Sequence, residues 1–141
     1  MTPLQIALVR ESFAHVLPIR EQAAELFYNR LFEIAPETRA LFKGDMRSQG
    51  AKLMVALAAV VNSLDRLDDI LGTVQAMARR HVHYGVTEEQ YGTVGEALLW
   101  TLQRGLGEAF TPDLKEAWAT AYGALSTVMI AAAREEAAAG A

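Results

Sequence analysis

The sequence contains no cysteine among its 141 residues. Disulfide bonds, thiol nucleophiles, zinc–thiolate sites, iron–sulfur clusters and thioether-linked cofactors are therefore excluded. Long apolar runs are missing as well. The longest, LMVALAAVV at residues 53–61, is far shorter than the ~20 residues that span a bilayer, and the N-terminus carries charges too early for a signal peptide. These absences predict a protein without a membrane span and favour a cytoplasmic location.

The sequence also lacks an excess of positive charge. It has 13 lysines and arginines and 17 acidic residues, which gives a formal net charge of −4. Without a dense basic stripe, the chain is a poor candidate for binding nucleic acid or an anionic membrane. An apolar fraction of 52% is enough for the core of one domain. We expect that domain over residues 1–135, followed by a frayed alanine-rich tail at 136–141.

Nearly every segment has the apolar periodicity of a helix, and none alternates convincingly as a strand. Thr2, Pro3 and Gln5 supply a first N-terminus, and Gly85 and Gly107 supply stops. The predicted helical pieces are 3–17 (broken at Pro18), a helix ending near Ile34, a turn at 36–42, a helix at 48–64, pieces at 64–69 and 72–82, a helix from Thr87 to about Leu106, and a last helix from Thr111 and Pro112. About eight such pieces predict an all-α fold that packs helix on helix.

Two histidines in MARRHVHYGV raise the question of a metal ligand. His81 shares a face with Val74, Met77 and Ala78, whereas His83 lies about 200° round the helix. The two cannot chelate one metal from a regular helix. We expect His83 and His15 in solvent, and His81 is either a ligand or a core histidine that donates to a backbone carbonyl.

Three polar side chains fall in otherwise apolar stripes: Tyr28, Gln49 and His81. A buried phenol, amide and imidazole each need a partner. Singly, Tyr28 could be a core tyrosine and Gln49 a first-turn glutamine in water. Together, on three predicted helices, they favour a polar constellation inside a pocket, which a metal with an open ligand position would satisfy.

The chain resembles the single-domain bacterial globins of the flavohaemoglobin-like type, over residues 2 to about 132. The resemblance lies in LFYNRLFEIAPETRALF, SQGAKLM, ARRHVHYGV followed by EEQYGTVG, and EAWATAYG, which occur in family order and spacing. It implies a globin fold around non-covalently bound haem b, with His81 as the proximal iron ligand and Phe42 packed on the porphyrin. The other implied cofactor-binding residues are Leu53, Val86 and Tyr91.

The resemblance also implies that Tyr28 and Gln49 face the ligand on the distal side. A phenol and an amide that donate to negatively charged dioxygen stabilise it by ~1–3 kcal/mol each. We therefore expect slow oxygen release, while nearly neutral carbon monoxide gains little. Arg47, Lys52 and Arg80 are candidates for pairing with the haem propionates, or are solvated surface charges.

The proximal side departs from the family. Many of its members pair the ligand histidine with a glutamate on the last helix and a tyrosine matching Tyr91. Here the glutamate's position falls on Ala133. Glu136 is a possible substitute; otherwise the histidine N–H bonds a backbone carbonyl, which gives less electron push to the iron.

Four hypotheses follow for function. The first is reversible oxygen binding for storage or delivery, and the second is a nitric oxide dioxygenase served by an external reductase. The 141 residues leave no room for a flavin or nicotinamide domain. A sensor would need an output module, and none is encoded here. The fourth is a haem-free helical interaction domain.

Overall fold

The computed structural model describes residues 1–139, which form an all-α fold. Within these residues there are six α-helices and four short 3₁₀ segments, which agrees with the expected eight or so helical pieces. The helices are α1 (Pro3–Val16), α2 (Arg20–Ile34), α3 (Met46–Asn62), α4 (Leu71–Tyr84), α5 (Glu88–Leu106) and α6 (Pro112–Ala139). None of them is both long enough and apolar enough to cross a membrane.

Local signals set the ends of the helices. Thr2 and Thr87 each form a capping box with the glutamine three residues later, as predicted. Each box satisfies two backbone N–H groups that the first turn of a helix leaves unpaired. Gly85 (φ 96°) ends α4 and Gly107 (φ 58°) ends α5. Both have a left-handed φ that favours glycine, so the predicted stops are confirmed.

Two boundaries differ from the prediction. The first helix ends at Val16, and residues 17–19 form a 3₁₀ turn around Pro18. Leu17, expected on the inward stripe, is 37% exposed because the turn rotates it away from the core. α3 begins at Met46 rather than at residue 48, since the Asp45 side chain accepts a hydrogen bond from the amide of Arg47. A carboxylate at this position is a favoured N-cap.

α6 continues to Ala139, beyond the limit of 135 that we expected for the domain. Glu136 therefore lies on a helix and is partly buried. Residues 140 and 141 of the expected frayed tail lie outside the described residues. The prediction of a tail at 136–141 concerns mobility in solution and stays a prediction.

The packing of the helices leaves α3 and α4 apart. α4 packs mainly on α6, α2 packs on α5 and α3, and α1 packs on α6. Although α3 and α4 follow each other in the chain, they make at most sparse contact in the described part. The main core draws on every helix except α4; its largest members include Val9, Phe13, Phe27, Tyr28, Leu31, Met54, Leu98, Leu102 and Trp118.

Gly50 allows α2 and α3 to approach closely. A Cβ atom at this position would lie 2.9 Å from the Cβ of Ala24. We expect Gly50→Ala to lower the free energy of unfolding by about 1–3 kcal/mol, because the two helices must move apart. Urea denaturation measures the change.

Gly92→Ala is the matched control, since Gly92 lies in α5 with no atom within 4 Å of an added Cβ. There alanine should stabilise the protein by about 0.5–1 kcal/mol through its higher helix propensity. Equal effects of the two substitutions would contradict the close approach at Gly50.

Candidate functional site

An aromatic cluster forms the first half of the candidate site. Tyr28, on α2, is buried. Its ring lies edge-on to Phe42, with the centroids 5.1 Å apart, and is stacked on Phe32 at 6.0 Å. Phe42 follows the 3₁₀ segment Pro36–Leu41, which brings it back over α2. The sequence predicted Tyr28 and Phe42 as site residues; Phe32, one turn after Tyr28, was expected to face inward but was not predicted as part of the site.

Gln49 and Leu53 reach this cluster from the first two turns of α3. Burial raises the pKa of the Tyr28 hydroxyl, and the side chain of Gln49 lowers it by a smaller amount. The two groups are thus close, although they do not meet at ordinary hydrogen-bond geometry. The hydroxyl stays protonated at neutral pH and keeps its proton available for a ligand. Leu53 lies one turn after Gln49 and is half-buried, as is Gln49.

His81, on α4, forms the second half. Its Nδ1 atom lies 2.7 Å from the carbonyl oxygen of Met77. A carbonyl can only accept, so Nδ1 carries the proton and Nε2 carries the free lone pair. Burial lowers the pKa of the imidazole, the Met77 carbonyl raises it, and the Arg80 charge lowers it. The ring is therefore neutral, and its Nε2 makes no hydrogen bond with any residue from 1 to 139.

The two halves lie on helices that make little contact with each other. His81 is on α4, Gln49 and Leu53 are on α3, and α3 and α4 are not among the helix pairs that pack extensively in the described residues. The halves are joined near Gly85, where an added Cβ would lie 3.6 Å from the Cδ2 atom of Leu41. Leu41 directly precedes Phe42. Two small apolar cavities lie in the core; Leu53 lines one of them, and neither is lined by His81 or Gln49. The arrangement suits a flat group held between α3 and α4.

A family comparison shows to which family the chain belongs. The family model described as Globin matches residues 25–129, which include all the residues placed above. The chain belongs to the globin family. Its relatives include flavohemoproteins, and two of them show how far the likeness extends.

The flavohemoprotein of Bordetella pertussis is 35% identical over 133 residues, which are 92% of this globin and 33% of that protein. The flavohemoprotein of Bacillus subtilis is 31% identical over 127 residues, 85% of this globin and 32% of that protein. This chain therefore spans about a third of the length of these curated relatives.

Solved structures agree with the family. A carbene transferase engineered from a candidate nitric oxide dioxygenase of Rhodothermus marinus superposes with a TM-score of 0.89 at 28% identity. The superposition covers 99% of this chain and 97% of that one. A bacterial globin from Campylobacter jejuni gives a TM-score of 0.84 at 25% identity, covering 95% and 97%. Both neighbours are bacterial proteins, so the expected globin fold of bacterial type is confirmed.

The side chains of this globin fit haem. His81 offers a neutral nitrogen with a free lone pair, which is the donor that globins use for haem iron. When bound, haem would supply an iron that can take a gaseous ligand. Phe42, Leu53 and Val86 are half-buried apolar side chains, as expected for residues that line a crevice. The Tyr28 hydroxyl and the Gln49 amide are the polar groups that can hydrogen-bond a ligand there.

The carboxylate near the C-terminus of α6 does not support His81. The Oε1 atom of Glu136 lies 3.1 Å from Nε2 of His83, and its Oε2 lies 3.9 Å from Nε of Arg79. His83, expected in solvent, is exposed but makes this contact. Glu136 therefore does not substitute for the family glutamate, and Ala133 is buried without a polar group to offer. His81 relies on a backbone carbonyl, the other possibility raised by the sequence.

Tyr91, the residue expected to match the family's proximal tyrosine, has a side chain that is buried without a polar partner in the described residues. The residue is 6% exposed and packs with Val74, Ala78 and Met129 between α4 and α6. Its hydroxyl is buried and has no hydrogen-bond partner in the described part of the chain. Burial accordingly raises the pKa of this hydroxyl. An unpaired buried hydroxyl destabilises the folded state.

We expect Tyr91→Phe to leave the free energy of unfolding unchanged, or to raise it by up to ~1–3 kcal/mol, because it removes the unpaired group. The matched control is Tyr122→Phe, since the Tyr122 hydroxyl donates to the carbonyl of Tyr91 at 2.6 Å. That substitution should cost about 0.5–1.5 kcal/mol. Thermal or urea denaturation of the two variants compares them directly, and an equal loss in both would contradict the unpaired state of Tyr91.

Proposed function

We propose that this globin binds haem b through His81 and holds dioxygen reversibly at low oxygen tension, for storage or delivery. The observation that carries the proposal is the contrast between the two sides of the site. The distal side offers a phenol and an amide. The proximal imidazole donates a hydrogen bond to the Met77 carbonyl, and no carboxylate of residues 1–139 bonds to it.

The distal pair favours retention of oxygen. Bound dioxygen takes up negative charge from ferrous iron. Tyr28 and Gln49 can each donate a hydrogen bond to that charge. In a site that excludes water, each such donor is worth ~1–3 kcal/mol. Two donors support slow release and high affinity for oxygen. The same donors have little effect on carbon monoxide, which stays nearly neutral.

The proximal side favours binding over bond cleavage. An imidazole hydrogen-bonded to a carboxylate is more basic and pushes more electron density to the iron than one bonded to a neutral carbonyl. The Met77 carbonyl is neutral, and the Glu136 carboxylate contacts His83 and Arg79 instead. A weaker electron push from the proximal imidazole supports reversible binding of oxygen more than peroxidase chemistry.

Nitric oxide dioxygenation is the second candidate, in which oxygen held in the pocket oxidises nitric oxide to nitrate. Its support is the likeness to the candidate nitric oxide dioxygenase of Rhodothermus marinus and to flavohemoproteins. Turnover would need an external reductase to return the iron to the ferrous state. A cytoplasmic location, where reductants and nitric oxide are both available, remains a prediction for either function.

Stopped-flow measurements separate the two functions. The oxygen dissociation rate of the ferrous protein is compared with the rate of nitrate formation when nitric oxide and a reductant are supplied continuously. Slow oxygen release with negligible sustained nitrate formation is expected for a carrier. Sustained nitrate formation at rates far above oxygen release would establish the dioxygenase instead.

A further inference from the structure

Phe32 connects the distal tyrosine to the phenylalanine that is expected to pack on the porphyrin. It lies on α2, four residues after Tyr28, so the two side chains are neighbours on one face of the helix. The centroid of its ring is 6.0 Å from that of Tyr28 and 5.7 Å from that of Phe42. Because the Tyr28 and Phe42 centroids are themselves 5.1 Å apart, the three rings form a triangle of mutual contacts.

Ring packing sets the direction of the Tyr28 side chain. Among residues 1–139 its hydroxyl makes no hydrogen bond of ordinary geometry, so the direction of the O–H group depends on how the ring is held. Phe27 and Phe42 meet the ring edge-on, at interplanar angles of 76° and 71°. Phe32 stacks on it at 29°. Phe32 therefore constrains the plane of the phenol, while the other two rings contact it edge-on.

Phe32 also lies where it can be changed with little effect on the rest of the structure. Phe27 is 4% exposed and belongs to the main core, and Phe42 is expected to contact haem. Phe32 is only half-buried, and the guanidinium carbon of the exposed Arg39 lies 5.2 Å from the centroid of its ring. A guanidinium at this distance is attracted to an aromatic ring. Phe32 is thus held both by the cluster and by a side chain outside the core.

We propose that Phe32 is a positioning residue for oxygen binding, whose ring holds the Tyr28 phenol in the orientation that donates to the bound gas. This inference rests on the proposed function, because it concerns the rate at which oxygen leaves. A stacked ring restricts the torsion angles of Tyr28, so the hydroxyl is in place for a larger fraction of the time. Leucine at position 32 is apolar but offers no aromatic face, and it gives the phenol more freedom.

A double-mutant cycle on the ferrous, haem-loaded protein tests this role by stopped-flow measurement of oxygen dissociation. Phe32→Leu should raise the oxygen dissociation rate about three- to tenfold, the effect of losing one aromatic pair. It should leave the carbon monoxide rate nearly unchanged. In the Tyr28→Phe background the same substitution should change the oxygen rate by less than about twofold, because the donor is already absent.

Phe110→Leu is the matched control. Phe110 is half-buried like Phe32 and packs against the main core, but it follows the 3₁₀ segment Gly107–Ala109 at the end of α5. This substitution should leave the oxygen rate unchanged. A similar increase in Phe110→Leu would mean that any loosening of the core speeds release, and it would overturn the positioning role.

The infrared stretching band of carbon monoxide bound to the reduced protein gives a second readout, since a nearby hydrogen-bond donor shifts this band. Phe32→Leu should broaden the band or move it toward its position in Tyr28→Phe, which a general loss of stability does not do. A wild-type band and oxygen rate in Phe32→Leu, or an equal increase of the oxygen rate in the Tyr28→Phe background, would overturn the proposal.

Failure of the proposed function is distinguishable from failure of this inference. A protein that takes up no haem lacks the visible absorption band before any gas is added. Nuclear Overhauser contacts between the Tyr28 and Phe32 rings can be measured with or without haem, and we expect them in both states. Their absence would contradict the stacked arrangement whatever the protein binds.

Discussion

Tyr28→Phe should raise the oxygen dissociation rate roughly ten- to a hundredfold, which corresponds to ~1.4–3 kcal/mol of lost stabilisation. The Tyr28 hydroxyl is protonated at neutral pH, and burial raises its pKa further above the ordinary value of 10.0. Among residues 1–139 it makes no hydrogen bond of ordinary geometry, so its proton is available to bond the ligand. Phenylalanine keeps the ring packed against Phe42 and Phe32 and removes this donor alone.

Laser photolysis and stopped-flow mixing measure the effect for oxygen and for carbon monoxide. The carbon monoxide dissociation rate should change little, because that ligand carries little charge. Tyr122→Phe removes a tyrosine hydroxyl that bonds the Tyr91 carbonyl instead, and it should leave the oxygen rate unchanged. An oxygen rate in Tyr28→Phe equal to that of the wild type would mean that Tyr28 does not touch the ligand.

His81→Ala should abolish tight haem binding. The imidazole lies on α4 and presents a free nitrogen lone pair at Nε2. Its Nδ1–H bond to the Met77 carbonyl fixes the orientation of the ring. Haem binds the folded state and stabilises it by mass action. The variant should therefore lose both the visible absorption band and the increase in the thermal midpoint that haem gives the wild type.

His83→Ala is the matched control, because His83 is exposed and contacts Glu136 instead of the proposed haem site. It should keep haem. Added imidazole should restore part of the haem absorption to His81→Ala, which separates loss of the ligand from misfolding. Haem bound by His81→Ala as tightly as by the wild type would exclude His81 as the iron ligand.

The ends of the helices could be predicted from the sequence because their causes are local. Thr2 with Gln5, and Thr87 with Gln90, bond backbone atoms within one turn, and Gly85 supplies a φ that other residues avoid. The face of His81 followed from its spacing from Val74, Met77 and Ala78. These relations depend on helix geometry alone.

The arrangement of helices depends on contacts between distant residues and could not be predicted in this way. Periodicity does not show that α3 and α4 make little contact with each other, the feature on which the proposed haem site between them depends. It also does not show which side chain Glu136 meets. That partner, His83, is 53 residues away in the chain. The pairing of Glu136 and the unpaired state of Tyr91 emerge only when α4, α5 and α6 are assembled.

The central claim is that His81 holds haem iron opposite Tyr28 and Gln49. The visible absorption spectrum of the purified, reduced protein, recorded alone, with oxygen and with carbon monoxide, tests it most directly. We expect one haem per chain and an intense band that shifts distinctly with each gas. A protein that shows no such band after haem has been supplied would be a helical domain of the globin fold without the cofactor, and the account would be wrong.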